Sequence, residues 1–333
     1  MSGVSDRAQA VVALGGGHGL HASLRALRLL VDDLVVDQLT AVVTVADNGG
    51  SSGRLRGEFG VLPPGDLRMA LAALCHEDHW GTTWEAVLQH RFAGQGEMNG
   101  HVVGNLLIVA LWEKLGDHVA ALDMVGRLLG AKGRVLPMAL TPMDIHARVR
   151  GAVRHRPDLV TEVRGQVEVA TTDGVIESVA LDPSDPPVSR EALAAIADAD
   201  WLVLGPGSWF SSVIPHVLVP VLRRALVDSP ARVVVVLNLE EQPGETVGFG
   251  AADHLAVLLQ HAPDLRIDAV LVDSGTLAGE PDDGRRLHEV VDAAGARLVV
   301  AALRADDGSA RHDARALAAA YERIVVSSDD GGR

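Results

Sequence analysis

Two glycine-rich loops near the start of the chain each follow directly on a continuous aliphatic stretch. Residues 10–14 lead into Gly15-Gly16-Gly17-His18-Gly19, and residues 39–45 lead into Asp47-Asn48-Gly49-Gly50-Ser51-Ser52-Gly53. Continuous aliphatic runs are typical of parallel strands that are buried on both faces. Apolar residues at helical spacing follow the first loop over 20–27, so the order there is strand, glycine turn, helix. This order predicts an α/β fold with a ligand at the turns.

The second half of the chain continues the alternation of strand and helix. Buried strands are predicted at 201–204, 232–237, 269–272 and 297–300, and helices at 213–227, 251–261, 285–293 and 314–324. Strands that alternate with helices form a parallel sheet that is covered on both faces. The sequence therefore predicts a doubly wound, mostly parallel Rossmann-like sheet.

Two regions depart from this alternation. Residues 66–130 carry helical patterns without a clear strand, which predicts a helical cover over one side of the sheet. Residues 145–181 alternate apolar and polar side chains, which predicts a small inserted antiparallel β-meander with strands at 145–150, 161–169 and 174–181. We expect residues 1–330 to form a single domain and the polar tail 327–333 to be disordered.

Composition and charge exclude several classes of function. Apolar residues make up 48% of the chain and aromatic residues only 3%, so the core must be aliphatic. The formal net charge of −15 argues against binding to nucleic acid or to an anionic membrane. The lone Cys75 excludes an internal disulfide and indicates a reducing compartment. The polar first nine residues and the short apolar run at 102–112 predict a cytoplasmic protein without membrane insertion.

Loops that follow parallel strands meet at one edge of the sheet, where open α/β folds bind their ligands. A helix that begins there directs unpaired N–H groups at the ligand, and glycine lets a phosphate approach the backbone. The turn Gly205-Pro206-Gly207-Ser208 and the loop 238–246 are further loops of this kind, with amide and hydroxyl groups that suit a sugar. The residues predicted to bind the ligand are Gly15, Gly16, Gly17, His18, Gly19, Asp47, Asn48, Gly49, Gly50, Ser51, Ser52, Arg54, Asp66, His101, Asn105, Gly205, Gly207, Ser208, Asn238, Gln242 and Glu245.

Several of these residues also have a purely structural interpretation. Asp66 precedes an apolar helix and fits an N-cap, while His101 and Asn105 fit either a buried hydrogen bond or a ligand contact. Arg54 fits either a diphosphate clamp or a solvated charge. The run His76-Glu77-Asp78-His79 lacks a third ligand at zinc spacing, so no metal site is predicted. No catalytic residue is assigned, because the sequence has neither a nucleophile-elbow motif nor a P-loop motif.

Six ordered motifs resemble those of the YvcK family, a group known as gluconeogenesis factors and related to CofD, the 2-phospho-L-lactate transferase of coenzyme F420 synthesis. The motifs lie at residues 15–20, 44–56, 63–68, 100–107, 205–208 and 242–246. The resemblance runs from about residue 11 to the last strands. The chain departs from the family pattern at His18, His21 and Asn48, where Thr, Ser and a second Asp are usual, and at Trp209-Phe210.

The resemblance implies a regulatory protein that binds UDP-N-acetylglucosamine or a related nucleotide sugar and serves morphogenesis, cell shape and peptidoglycan supply during gluconeogenic growth. It also implies a second copy of the chain and cell-wall enzymes as partners. One alternative is a CofD-like transferase that moves a phospholactyl group to a deazaflavin with Mg²⁺. Another is a dinucleotide-binding module, which the spacing of the first glycine loop disfavours. Since Asn48 removes a carboxylate from the second loop, we expect binding without turnover, and a cofactor (Mg²⁺) only if the chain is a transferase.

Overall fold

Seven strands form one parallel sheet in the computed structural model, which describes residues 9–153, 155–242 and 244–327. In chain order these strands are β1 (Gln9–Gly15), β2 (Val36–Val43), β3 (Arg134–Pro137), β7 (Trp201–Leu204), β8 (Arg232–Val236), β9 (Ala269–Asp273) and β10 (Arg297–Ala301). The order across the sheet is β10-β9-β8-β7-β1-β2-β3. The predicted doubly wound parallel sheet is therefore confirmed. The short strand β3 was not predicted, because only Val135 and Leu136 mark it before Pro137 ends it.

The order of strands reverses between β1 and β7, in the middle of the sheet. Leu14 pairs with Leu204 on one side and with Val42 of β2 on the other. Strands β1 and β7 are buried over residues 11–15 and 201–204, as their aliphatic sequences predict. The loops that follow β1 and β7 consequently leave the sheet side by side, and a ligand crevice opens at such a point.

Helices cover both faces of the sheet. The helices before the small sheet are α1 (Gly17–Asp32), α2 (Gly50–Phe59), α3 (Gly65–Ala73), α4 (His79–Gln89), α5 (Val103–Leu115) and α6 (His118–Leu129). Helices α3 to α6 form the helical cover predicted for residues 66–130. The last helix, α14 (Ala314–Ser327), packs on α1, where Tyr321 Oη and Ser23 Oγ lie 2.8 Å apart in a buried hydrogen bond.

The inserted region forms a three-stranded antiparallel sheet, as predicted, but the strand order is β5-β4-β6. In a meander β5 would pair with β6, whereas here β4 lies in the centre and pairs with both. Its strands are β4 (Asp144–Arg150), β5 (Val160–Arg164) and β6 (Val175–Asp182). The prediction that the middle strand continues to residue 169 is wrong. Gly165 has φ +105 and ends β5, and the short helix α7 (Gln166–Ala170) follows it. The alternating pattern of Val167 and Val169 belongs to that helical turn, which buries Val169 and exposes Val167.

The single helix predicted for residues 213–227 is also wrong. The chain there forms a π-helix (Trp209–Val213), α9 (Ile214–Leu218) and α10 (Pro220–Asp228). Pro220 has no N–H to continue the hydrogen bonding of α9, so the axis bends by 76° between the two segments. Among the described residues no single helix has the length and apolarity to cross a membrane, and only this bent pair passes by length and composition.

The remaining helices lie in the second half of the chain. They are α8 (Arg190–Asp198), α11 (Ala251–His261), α12 (Ser274–Gly279) and α13 (Pro281–Ala293). Helices α11, α13 and α14 match predicted helices to within a few residues. Of the tail predicted at 327–333, Ser327 ends α14 and the other residues lie outside those that the structure describes.

Candidate ligand-binding site

A cleft of about 1080 Å³ opens at the carboxyl ends of β1 and β7. One wall is α1, and the others are the loops after β7 and β8, the segment that leads into α14, and the start of α4 with the residues before it. Five of the predicted ligand residues line it, namely His18, Gly19, Gly207, Asn238 and Gln242. The cleft therefore unites residues that are more than 200 positions apart in the sequence.

The first glycine loop packs closely against the third. A Cβ placed on Gly19 would lie 2.3 Å from Gly207 Cα and 2.3 Å from the Pro206 carbonyl oxygen. Gly15, which ends β1, is likewise buried beside this loop. Glycine at 19 is therefore required for the contact between the two loops, whether or not a ligand is bound.

The N-cap residue of α1 is Gly16, which has no side chain to accept hydrogen bonds from the first N–H groups of the helix. Gly16 has φ −162, an extended conformation that any residue adopts. A Cβ there would nevertheless lie 2.3 Å from Thr44 Cγ2 and 2.6 Å from Asp66 Oδ2. Glycine is needed at this position because side chains crowd it, and its backbone angles are not strained.

A second helix begins in the same region. The N-cap of α2 is Gly49, which also gives no side-chain cap, while its own N–H donates to Asp47 Oδ1 at 2.8 Å. Gly50, the first residue of α2, is exposed and has φ +50. The N–H of Gly65 donates to Ser52 Oγ at 2.9 Å, which ties α2 to the start of α3. Two helix N-termini without capping side chains therefore flank one polar cluster, and both direct positive dipole ends there.

Asp47 and Asp66 are the carboxylates of this cluster, which we call the inner cluster; its other members are Gly16, Thr44, Ser51, Ser52, Arg68, His101 and Asn105. Asp66 is not the N-cap of α3, as the sequence suggested, because Pro64 holds that position. Asp66 instead lies buried in the first turn, where it accepts a hydrogen bond from the Gly17 N–H. Its Oδ2 has no partner among the described residues.

Burial makes both carboxylates costly to ionise, and Asp47 adds to this cost at Asp66. Burial, with the neighbouring charge of Asp47, raises the pKa of Asp66 to about 7. Burial also raises the pKa of Asp47, against the opposing hydrogen bonds from Gly49 and Ser52. These two side chains are the ones that could share a divalent cation with a ligand phosphate. No group of three or more metal-ligating side chains occurs among the described residues, including the histidines at 76 and 79.

Arg68 was not predicted as a ligand residue, although it closes the motif at 63–68. It lies on α3 with 8% of its surface exposed, and Nε has no hydrogen-bond partner. Burial and the charge of Arg91 lower its pKa to about 10. The sequence signal was the charged residue two positions after Asp66 at the start of an otherwise apolar helix.

His101 and Asn105 meet at Ser51. The hydroxyl oxygen of Ser51 accepts from the Val102 N–H and from Asn105 Nδ2, both at 3.2 Å, and His101 Nδ1 lies 3.2 Å from it. His101 lies before α5, which begins at Val103, while Asn105 lies in its first turn. They bind the second glycine loop to the start of α5, and Asn105 Oδ1 remains without a partner among the described residues.

The turn after β7 is held by polar side chains from the loop after β8. Asn238 accepts from the Gly207 N–H and donates to the Gly207 carbonyl, both at 2.9 Å. Gln242 accepts from the Trp209 N–H at 3.2 Å and donates to Ser208 Oγ at 3.4 Å. These amides, predicted as sugar ligands, thus shape the turn.

The Glu245 side chain accepts hydrogen bonds at the start of the helix that follows this turn. Its buried carboxylate accepts from the Phe210 N–H at 3.0 Å and from Ser211 Oγ at 2.5 Å, and burial raises its pKa. The turn that contains Gly205 and Gly207 was predicted to bind a ligand, and the N–H donor of Phe210 beside it already serves this internal carboxylate. Pro243, in the same motif, lies outside the described residues.

Two predicted ligand residues turn away from the cleft. Asn48 donates to Glu168 at 2.9 Å and accepts from the Val167 N–H at 3.0 Å, so its amide joins the second glycine loop to α7. Arg54 is exposed and donates to the carbonyls of Glu97 and Asn99. The Asn48 amide thus has partners within the chain, and its contact with a diphosphate, like the argument about turnover that uses it, stays a prediction.

A comparison with protein families identifies the group to which this arrangement belongs. The model for the family described as 2-phospho-L-lactate transferase CofD matches residues 11–297, which include every loop of the site up to β10. The chain belongs to the CofD family.

Its relatives in this family are described as gluconeogenesis factors. The gluconeogenesis factor of Bacillus subtilis is 36% identical over 85% of this chain and 83% of its own. A relative from Mycobacterium tuberculosis is 54% identical over 81% of this chain and 77% of its own. The crystal structure of a UPF0052 family member from Bacillus halodurans has a TM-score of 0.81 at 33% identity, and the match covers 94% of this chain and 98% of that one. The predicted family is confirmed.

Proposed function

We propose that this protein binds UDP-N-acetylglucosamine or a closely related nucleotide sugar and acts as a regulator of morphogenesis and cell-wall supply under gluconeogenic growth. It would do so in the cytoplasm, with a second copy of itself and cell-wall enzymes as partners. The descriptions of its relatives as gluconeogenesis factors support the metabolic part of this proposal.

One observation supports the diphosphate part above the others. Helices α1 and α2 both begin at the inner cluster with glycine N-caps that provide no capping side chain, and Asp66 accepts from only the first N–H of α1. An anion is the usual occupant of such an N-terminus. The adjoining cleft of about 1080 Å³ has room for a nucleoside and a sugar.

Binding is tested by thermal unfolding with UDP-N-acetylglucosamine, GDP and NAD side by side. A ligand that binds only the folded protein stabilises it by about 2.7 kcal/mol at one hundred times its dissociation constant. UDP-N-acetylglucosamine should raise the unfolding temperature at lower concentration than GDP or NAD. A melting temperature that stays flat up to millimolar UDP-N-acetylglucosamine would refute the proposal.

A charge variant tests whether the ligand lies at the start of α1. His18 is exposed in the first turn of α1, so His18→Glu places a negative charge there. The unliganded protein should be as stable or more stable by about 0.3–1 kcal/mol, because an acidic residue suits a helix N-terminus. Stabilisation by UDP-N-acetylglucosamine should fall. The matched control Gln38→Glu, exposed near the amino end of β2, should respond to the ligand like the parent protein.

The carboxylate pair favours a second candidate, a transferase of a phosphorus-containing group. Asp47 and Asp66 lie in the inner cluster, close to the starts of α1 and α2. The family model describes a 2-phospho-L-lactate transferase. When bound, a magnesium ion would neutralise charge on a leaving phosphate. Magnesium-dependent consumption of a phospholactyl nucleotide and a deazaflavin, followed by mass spectrometry and abolished in Asp47→Ala, would establish this candidate in place of the binder.

A further inference from the structure

The Arg68 side chain is a buried cation that makes no ion pair with any described residue. Only 8% of its surface is exposed, and its side chain donates no hydrogen bond to the described residues, although its backbone N–H donates to the Pro64 carbonyl. The carboxylates of Asp66 and Asp47 influence it electrostatically without pairing with it. Its neighbour Gly104 has no side chain, and a Cβ there would lie 2.8 Å from Arg68 Cγ, so the start of α5 is shaped around this arginine.

A guanidinium in this position is costly to the unliganded fold. It carries five N–H donors, and burial of a charge without a partner destabilises a protein by several kcal/mol. The other buried arginine, Arg28, shows the usual solution, because it donates to Glu77 and to the Cys75 carbonyl. Arg68 lacks such partners, which indicates that its partner comes from outside the chain.

Other polar atoms of the inner cluster are also unsatisfied. Asn105 Oδ1, Asp66 Oδ2 and Thr44 Oγ1 are buried without hydrogen-bond partners among the described residues. The starts of α1 and α2, whose N-caps provide no capping side chain, lie at the same cluster. An oxyanion would accept from Arg68 and from helix N–H groups together, whereas the acceptor oxygens of Asp66 and Asn105 suit donors of the same ligand, such as sugar hydroxyls.

We propose that Arg68 binds the diphosphate of the ligand and makes affinity depend on the number of phosphates it carries. This inference rests on the proposed function for the nucleotide sugar, but its core claim concerns the phosphates alone. The cleft beside α1 would then receive the nucleoside and the sugar.

The test compares three probes on the full chain by calorimetry: UDP-N-acetylglucosamine, inorganic pyrophosphate and uridine. Arg68→Met should weaken binding of the first two by about 10- to 100-fold, the loss expected for a charge-assisted bidentate contact, and should leave uridine unchanged. Arg68→Lys, which keeps the charge without the planar fork, should recover part of the affinity. Arg134→Met makes the same change of charge at β3, at the amino end of the sheet, and should bind all probes like the parent.

The stability of Arg68→Met distinguishes a binding role of Arg68 from a structural one, because loss of a structural arginine would lower the urea unfolding midpoint. Arg68→Met removes an unpaired buried charge, so its urea unfolding midpoint should equal or exceed that of the parent protein. Loss of stability together with unchanged pyrophosphate affinity would overturn the proposal, as would equal losses for uridine and pyrophosphate. If pyrophosphate binding depends on Arg68 while UDP-N-acetylglucosamine does not bind, the proposed function fails and the phosphate role of Arg68 stands. If neither phosphate compound binds the parent protein, both fail.

Discussion

Replacing Asp66 by asparagine should change how the stability of this protein depends on pH. The raised pKa of Asp66, about 7 against an ordinary 3.8, means that the folded protein favours the protonated carboxyl group. Its contribution to stability is therefore complete below pH 3.8 and is lost as pH rises through 7. Asparagine cannot ionise, and its Oδ1 can still accept from the Gly17 N–H.

The magnitude follows from the two pKa values. A difference of about three pH units corresponds to about 4 kcal/mol in total, at about 1.4 kcal/mol for each unit. Most of this loss accumulates between the two pKa values. Between pH 5 and pH 7 the parent protein should therefore lose about 2 kcal/mol of unfolding free energy that Asp66→Asn retains.

Urea unfolding at pH 5, 6, 7 and 8 measures this difference. The slope with pH is the critical quantity, because the new amide nitrogen lacks an acceptor and lowers stability by a constant amount at every pH. Asp37→Asn, which removes an exposed carboxylate on β2, is the control and should run parallel to the parent. Parallel curves for Asp66→Asn would refute the burial of an ionisable carboxyl group at this site.

Two further substitutions test the packing of the loops. Gly19→Ala should lower the free energy of unfolding in urea by at least about 1–3 kcal/mol, because its Cβ would overlap the backbone at Gly207. The control Gly57→Ala in α2 meets open space and should raise that free energy by about 0.5–1 kcal/mol. Equal effects of the two substitutions would contradict the contact between the loops. Asn48→Asp should destabilise by about 1–3 kcal/mol at pH 7, because it replaces the amide donor to Glu168 by a second carboxylate. Adding Glu168→Gln should recover that loss, and no recovery would refute the pairing.

The sheet was predictable because its signals are local. Apart from the short β3, each strand contains a continuous aliphatic run, and this pattern alone gives the alternation of strand and helix. The errors in the predicted elements came from single residues that end a strand or a helix. Gly165 ends a strand that the alternation of Val167 and Val169 seemed to continue, and Pro220 divides a helix whose apolar spacing is unbroken.

The loops of the site were predictable, but the roles of their side chains were not. Which residue faces which depends on contacts between distant segments, such as that of Glu245 with Phe210 or of Asn48 with Glu168. A sequence pattern shows that a polar residue follows a strand, and it does not show whether that residue points at a ligand. Arg68 was overlooked for the same reason, since only the folded chain shows that it is buried without a partner.

The buried carboxylate of Glu245 gives the two sides of the cleft different roles in ligand binding. Glu245 accepts hydrogen bonds from the residues that follow the turn after β7, so the turn is ordered without a ligand. Ordering this turn therefore adds little to the entropic cost of binding. At the starts of α1 and α2 the N-caps provide no side-chain acceptor, and Arg68 Nε and Asp66 Oδ2 have no partner among the described residues. Under the proposed function, the turn after β7 would set the shape that a ligand must match, while these unpaired groups would supply the free energy that retains it and so set the dissociation rate.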